Sequence, residues 1–167
     1  MAAGPLTGIK VLDFTQVVAG PVASMLLAEL GAEVIKVENP NAGDPFRSFQ
    51  DGLYSPHFCV NNRNKRSLTL NLRAKEGRKV FLKLVTRADV LIENFRPGVM
   101  DRLDLGEKVL SKTNPTLIHC SITGFGESGP YSHRPAYDAV AQALGGMAHL
   151  FLDPSNPQIT GTTIADN

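Results

Sequence analysis

The alternation of apolar and polar positions at the start of the chain predicts a strand, a helix and a second strand. Residues 9–14 and 33–38 form nearly continuous apolar runs, which are typical of parallel strands covered on both faces. Between them, residues 21–30 carry apolar side chains at helical spacing, among them Val22 and Leu26. The right-handed crossover of such a unit places the turn after the first strand at the carboxyl edge of the sheet, where ligands bind.

Two residues mark the ends of the predicted helix. Pro21 suits a first helical turn, because its ring presets φ and its missing N–H would have no partner there. Gly31 follows the last apolar position and stands where a left-handed C-terminal cap would. We therefore expect the helix to lie between these two residues.

Strands and helices continue to alternate through the rest of the chain. Further strands are predicted at residues 67–72, 89–95, 116–122 and 159–165, and further helices at 74–88, from 99 onward and at 137–150. This order indicates an α/β domain with a mainly parallel sheet and helices on both faces. Residues 39–62 are predicted to be irregular, and a connection of that length is usually functional or a lid.

Composition and charge narrow the class of protein. The 167 residues carry a formal net charge of +1, which gives no reason to expect a nucleic acid or an acidic membrane as a partner. Cys59 and Cys120 form no CxxC pair, and the start of the chain shows no secretory or transit pattern, so we expect a reducing, cytoplasmic setting. The most apolar window, residues 17–30, contains Pro21 and Glu29, which favours a buried helix over a membrane span.

A GxGxxG pattern at residues 124–129 follows a predicted strand, as in dinucleotide-binding proteins. The second half of that signature fails, because Pro130 and Pro135 prevent a helix from opening directly after the glycines to receive a pyrophosphate. A plain loop, or a contact with a different ligand, is the favoured interpretation.

Basic residues near two strand ends suggest phosphate sites, with structural alternatives. Arg63, Lys65 and Arg66 precede a strand, where a solvated strand entry is favoured over a phosphate site. Arg96 and Arg102 follow a strand end, where a phosphate-bearing ligand and a plain surface role are about equally supported. The four histidines form no metal-ligand pattern, and no metal is expected.

Two aspartates lie at boundaries between predicted elements. Asp166 follows an apolar strand, where it would either cap a following helix or act as a carboxylate nucleophile at the edge of the sheet. The residue pattern by itself favours the cap. Asp138 begins a predicted helix beside Tyr137 and presents the same two alternatives.

Co-linear motifs along the whole chain resemble the class III CoA-transferases, a family typified by formyl-CoA transferase and crotonobetainyl-CoA:carnitine CoA-transferase. The matching segments are residues 12–21, 30–38, 64–67, 93–98, 121–126, 137–138, 142–143 and 165–166. The resemblance implies that residues 1–167 are the N-terminal part of a CoA-binding, Rossmann-like large domain whose second domain is absent from this chain. The last predicted strand has no covering helix after it, so we also expect a sheet that is incomplete at the C-terminus.

The resemblance implies transfer of coenzyme A from an acyl-CoA to a carboxylic acid through an aspartyl-CoA thioester. Asp166 matches the family's nucleophile, and Tyr137 and Asp138 match positions beside it. Positions that match CoA contacts are Gln16, Val17, Ala19, Leu70, Arg73, Asn94, Phe95, Val99 and Arg102. CoA would be a substrate rather than a permanently bound cofactor. In the family two subunits interlock as a homodimer, so the 167-residue chain by itself is expected to be inactive.

Departures from the family pattern leave several questions open. Val18 stands where formyl-CoA transferase has glutamine, which argues against an oxalate-type acceptor, and Asn39 and Pro135 replace basic residues.

The α-methylacyl-CoA racemases are the alternative function within the family, but they carry a histidine where this chain has Tyr137. A truncated form that only binds CoA or a subunit is the non-enzymatic alternative. The acyl donor and acceptor stay open, as does a mitochondrial or peroxisomal location.

Overall fold

The computed structural model describes residues 4–49, 54–151, 153, 155–156 and 163–166. It divides into two compact units, Met1–Ile122 and Thr123–Asn167, which are treated separately below. The first unit contains the sheet, and the second contains a loop and two short helices.

The first unit is built on a five-stranded parallel sheet. Its strands are β1 (Lys10–Phe14), β2 (Glu33–Glu38), β3 (Lys65–Thr69), β4 (Val90–Glu93) and β5 (Ile118–Ser121). They lie in the order β3-β2-β1-β4-β5, and each pair of neighbours is parallel. The predicted α/β, Rossmann-like fold is confirmed, since this is the order of the first five strands of a Rossmann sheet.

The helices of this unit pack on both faces of the sheet. They are α1 (Ala19–Glu29), α2 (Pro56–Asn61), α3 (Lys75–Val85), α4 (Val99–Arg102) and α5 (Glu107–Thr113). One core joins Leu12 and Leu91 of the sheet to Phe81 of α3 and to Leu110 of α5. The other core joins alternate sheet residues, such as Val11, to α1. Alternating positions along each strand therefore supply both cores, as the period of a strand requires.

Helix α1 buries Met25, one of the apolar residues at helical spacing, but small residues make up most of the rest of its buried face. The buried positions include Gly20, Ser24 and Ala28, whereas the side chain of Leu26 is 51% exposed. Small residues let the helix approach the sheet closely, and a Cβ atom on Gly20 would overlap the side chain of Thr15. The predicted cap at Gly31 is confirmed, with φ at +103° and its N–H bonded to the carbonyl of Ala28.

The connection after β2 is more ordered than its sequence predicted. A 3₁₀ turn covers Pro45–Ser48, and the side chain of Asp44 caps it by accepting the Phe46 N–H. Helix α2 follows, and its N-terminus is capped by the hydroxyl of Ser55, which accepts a hydrogen bond from the Phe58 N–H at 3.1 Å. These elements were missed because each is too short to show a helical period, although both carry a capping residue before a proline.

The second unit contains α6 (Asp138–Leu144) and α7 (Met147–Phe151). A single helix was predicted here, but Gly146 has φ at +82° and breaks it. The GxGxxG segment is a loop that no helix follows directly. Of the strand predicted at 159–165, residues 159–162 lie outside the described residues and 163–165 are not in a strand. Within the described ranges, every helix falls short of the length and apolarity that crossing a membrane requires.

Candidate functional site

The strand order reverses between β1 and β4, and the turns that follow these two strands meet at the carboxyl edge of the sheet. The side chain of Asn94, after β4, accepts a hydrogen bond from the Gln16 N–H and donates one to the Gln16 carbonyl, both at 2.8 Å. The structure thus brings together two of the predicted CoA contacts, at the position where parallel α/β sheets bind ligands.

Residues 15–17, which we call the β1 turn, are held by side chains from four places in the sequence. Asp13 accepts the Thr15 N–H at 3.0 Å, and Lys36 donates to the Thr15 carbonyl at 2.9 Å. Asp44 accepts the Val17 N–H at 3.2 Å, and Asn94 holds Gln16 as described. Val17 has φ at +72°, which is unfavourable for a β-branched residue and is often found at ligand sites.

A buried ionic network lies beneath the β1 turn. Asp13 and Lys36 are in register on neighbouring strands, and both side chains are almost fully buried. Lys65 Nζ lies 2.9 Å from Asp13 Oδ2, and Lys36 Nζ lies 2.9 Å from Asp44 Oδ2. Ser24 of α1 adds a hydrogen bond to Asp13 at 2.7 Å. The two lysines and two aspartates balance in charge, which limits the cost of burying them.

The burial and the charges of this network change the pKa values of Asp13 and Lys65. Burial alone would raise the pKa of Asp13, but the charges of Lys36 and Lys65 outweigh burial and lower it. Burial lowers the pKa of Lys65 to about 8, in spite of the opposing charge of Asp13. Asp13 and Lys36 are buried charged residues within the nearly continuous apolar runs predicted for β1 and β2. Their charge, inside segments that are otherwise apolar, was the available sequence signal for this network.

The basic residues divide into paired and unpaired groups. Lys65 is paired with Asp13, Arg63 with Glu29 at 2.6 Å, and Arg66 with Glu33. The phosphate alternative at residues 63–66 is therefore not supported. By contrast, within the part of the chain that the structure describes, three arginines that follow β3 or β4 have guanidinium groups with no hydrogen bond or ion pair. These exposed arginines are Arg73, Arg96 and Arg102.

The remaining predicted CoA contacts of the first unit lie along the same strand ends. Phe95 packs edge-on against Phe14, with ring centroids 4.5 Å apart, and its N–H is bonded to Glu93 Oε2 at 2.7 Å. Leu70 packs against the core just after β3. Ala19 and Val99 are the half-buried first residues of α1 and α4. These side chains help to shape the edge as well as to line it.

In the second unit, the structure places Asp138 against the segment that contains Asp166. Asp138 Oδ1 accepts the backbone N–H groups of Ile164 at 2.7 Å, Ala165 at 2.6 Å and Asp166 at 3.2 Å. Burial would raise the pKa of Asp138, but the bonds from Ala165 and its neighbours and from Gln142 outweigh burial and lower it. Burial, and next the charge of Asp138, raise the pKa of Asp166.

Tyr137 precedes Asp138, and its side chain is 62% exposed. Two of the three residues predicted to be catalytic, Asp138 and Asp166, are thus brought into contact, and Tyr137 is adjacent in the chain. The described residues contain no group of three or more His, Cys, Asp or Glu side chains that could hold a metal ion. The residues that sequence reasoning missed are those of the network under the β1 turn, above all Asp44.

Known proteins give an independent comparison. The model of CoA-transferase family III matches residues 6–167. Acetyl-CoA:oxalate CoA-transferase of Acetobacter aceti is 46% identical, over 98% of this chain and 43% of that protein. Succinyl-CoA:glutarate CoA-transferase of Mus musculus is 43% identical, over 96% of this chain and 38% of that protein.

A solved structure gives the same result for the fold. The crystal structure of the hypothetical protein Rv3272 from Mycobacterium tuberculosis matches with a TM-score of 0.89 and 43% identity, covering 98% of this chain and 46% of that one. The chain therefore spans less than half the length of these relatives. Because the family match extends over nearly every residue, the chain belongs to CoA-transferase family III.

Proposed function

We propose that the chain supplies the CoA-binding region and the nucleophile of an enzyme that transfers coenzyme A from an acyl-CoA to a carboxylic acid. The observation that carries the proposal is the β1 turn, joined to Asn94 at the point where the strand order reverses. Four of the proposed CoA contacts, Gln16, Val17, Asn94 and Phe95, lie in the turns after β1 and β4. The names of the relatives support the reaction class.

The charge of CoA fits the unpaired arginines. CoA carries a diphosphate and a further phosphate, and guanidinium groups bind phosphate oxygens through paired hydrogen bonds. Arg73 and Arg102 are exposed, and their guanidinium groups form no hydrogen bond or ion pair with a described residue, so binding a phosphate would break no ion pair there. We propose that these arginines hold the nucleotide end of CoA, while the turns after β1 and β4 contact the rest of the molecule.

Asp166 is the proposed nucleophile. Its carboxylate attacks the thioester carbonyl of the acyl-CoA, forming a mixed anhydride and releasing the CoA thiolate. The thiolate then attacks the aspartyl carbonyl, releasing the first acid and leaving an aspartyl-CoA thioester. The acceptor carboxylate repeats the two steps in reverse order, and Asp166 is regenerated. A raised pKa makes a carboxylate more basic and thus a better nucleophile once it is ionised.

Asp138 is better explained as a positioning residue than as a reacting group. Its Oδ1 atom already accepts three consecutive backbone N–H groups, and its other oxygen accepts a bond from Gln142. A carboxylate used in this way fixes the backbone that carries Asp166.

We propose that Tyr137, which is exposed and precedes Asp138 in the chain, contacts the substrate.

The family's remaining properties complete the proposal. Because the chain spans 43% and 38% of the two CoA-transferases compared above, we propose that it is the N-terminal part of a large CoA-binding domain. A second domain and an interlocked homodimer would then be needed for activity. A cytoplasmic location is proposed from the sequence, with mitochondria and peroxisomes as alternatives.

The nucleophile is tested by Asp166→Ala in a protein of the family's full length that contains this chain. Transfer should be lost, while the Kd for CoA changes by less than about threefold, because the first unit is intact. Hydroxylamine added during turnover should convert Asp166 to a hydroxamate, detectable by peptide mass analysis. Asp153→Ala is the matched control, since Asp153 is an exposed acid of the same unit. Transfer by the Asp166 variant at a rate near wild type would refute the assignment.

A further inference from the structure

The β1 turn is held by side chains at five consecutive backbone groups. These are the N–H and carbonyl of Thr15, the N–H and carbonyl of Gln16, and the N–H of Val17. Turns at a sheet edge ordinarily leave several such groups to water. Here each group is bonded to a side chain, so the shape of the turn is set before any ligand arrives.

Asp44 has a particular place among these side chains. It lies in the connection after β2, far from the turn in sequence, yet it is almost fully buried beside the turn. Its Oδ1 atom accepts the Val17 N–H at 3.2 Å and the Phe46 N–H at 2.9 Å. Its Oδ2 atom lies 2.9 Å from Lys36 Nζ, and Lys36 in turn donates to the Thr15 carbonyl. Asp44 therefore holds Val17, at one end of the β1 turn, by a direct hydrogen bond. Through Lys36 it also holds the carbonyl of Thr15, at the other end of the turn.

The conformation of Val17 shows what Asp44 does. A β-branched residue at φ +72° is strained, and the strain persists only where surrounding contacts impose it. The bond between the Val17 N–H and Asp44 is the one hydrogen bond of this N–H among the described residues. A glycine would adopt the same φ without a steric penalty.

We propose that Asp44 is a positioning residue for CoA: it holds Val17 in the left-handed conformation, so that the β1 turn has its ligand-binding shape before CoA binds. The proposal deepens the proposed function and rests on CoA binding at this edge. Under this proposal, the connection after β2 contributes to CoA binding. It does so by holding the backbone of Val17, and not by touching CoA.

The test is a double-mutant cycle between Asp44→Ala and Val17→Gly, with the Kd for CoA measured by calorimetry. Asp44→Ala should raise the Kd about tenfold, since Val17 then relaxes out of its strained conformation. In the Val17→Gly background, the same Asp44 substitution should raise the Kd by less than about threefold. Asn64→Gly is the matched control, because Asn64 also has a positive φ, +62°, but is exposed and lies outside the β1 turn. It should not reduce the effect of Asp44→Ala.

A second measurement needs no substitution and covers the case in which Asp44→Ala does not fold. Amide hydrogen exchange of the wild-type chain should show the Val17 N–H protected without CoA, and CoA should change that protection by less than about fivefold. An unprotected Val17 N–H that becomes protected only with CoA would overturn the proposal, as would equal effects of Asp44→Ala in both backgrounds. Failure of the wild-type chain to bind CoA at all would instead refute the proposed function.

Discussion

Glu38 should make the stability of the chain fall steeply in acid, and Glu38→Gln should remove that part of the dependence. Glu38 ends β2 with a side chain that is 3% exposed, and it accepts four hydrogen bonds. Arg47 donates two of them, each at 2.7 Å, Ser67 donates one at 2.6 Å and the Asp44 N–H donates one at 3.1 Å. Burial alone would raise the pKa of Glu38, but the bonds from Arg47 and Ser67 outweigh burial and lower it to about 2.

The size of the effect follows from the shift. The ordinary value is 4.5 and the folded value is about 2, and each pKa unit corresponds to about 1.4 kcal/mol, so the contribution is about 3 kcal/mol. The folded chain holds the Glu38 proton less tightly than the unfolded chain does. The contribution is therefore fully present above pH 4.5 and is lost as the pH falls towards 2.

The assay is urea unfolding followed by circular dichroism, from pH 7 to the lowest pH at which unfolding is cooperative. The difference in free energy of unfolding between wild type and Glu38→Gln should shrink steadily below pH 4.5. Glu29→Gln is the control, because Glu29 pairs with Arg63 on the surface, where an ion pair contributes at most about 1 kcal/mol. If the difference between wild type and Glu38→Gln is the same at pH 6 and at pH 3, the reasoning about Glu38 is wrong.

Three further predictions concern the acidic pair, the reaction class and the packing of α1. Asp138→Asn removes a negative charge beside Asp166 and should therefore lower the pKa of Asp166. In a pH profile of the transfer rate, the loss of rate in acid should then begin at a lower pH. An unchanged profile would contradict the electrostatic coupling between the two aspartates. The full-length protein should not exchange the α-proton of a 2-methylacyl-CoA in heavy water, because Tyr137 stands where the racemases carry their histidine base. Deuterium incorporation at the rate of turnover, measured by mass spectrometry, would favour the racemase. Gly20→Ala should destabilise the chain by about 1–3 kcal/mol in urea unfolding, because the added methyl group meets Thr15 beneath α1; an unchanged stability would show that the helix can shift.

The sequence by itself determined the order and type of the main elements, and it predicted the edge at which a ligand would bind. Periodicity predicted β2 at its observed bounds and placed β1, α1 and β4 within two residues, because these signals depend on neighbours a few positions apart. The left-handed cap at Gly31 could be predicted for the same reason, because the end of a helix depends on residues close together in the sequence. The residue pattern had left Asp138 and Asp166 between a cap and a catalytic role, the family motifs favoured the catalytic role, and the structure brings the two residues into contact.

Only the tertiary structure determined how the candidate site is held. Asn94 reaches Gln16 across 78 positions of sequence, and Asp44 reaches Val17 across 27. No local pattern encodes such contacts, because they depend on the strand order and on the path of a connection whose two helical turns are too short to show a period. The register that pairs Asp13 with Lys36 likewise appears only when β1 and β2 lie side by side. Burying this pair requires partners for both charges, and the fold supplies Lys65 from β3 and Asp44 from the connection after β2 in the positions where those charges are balanced.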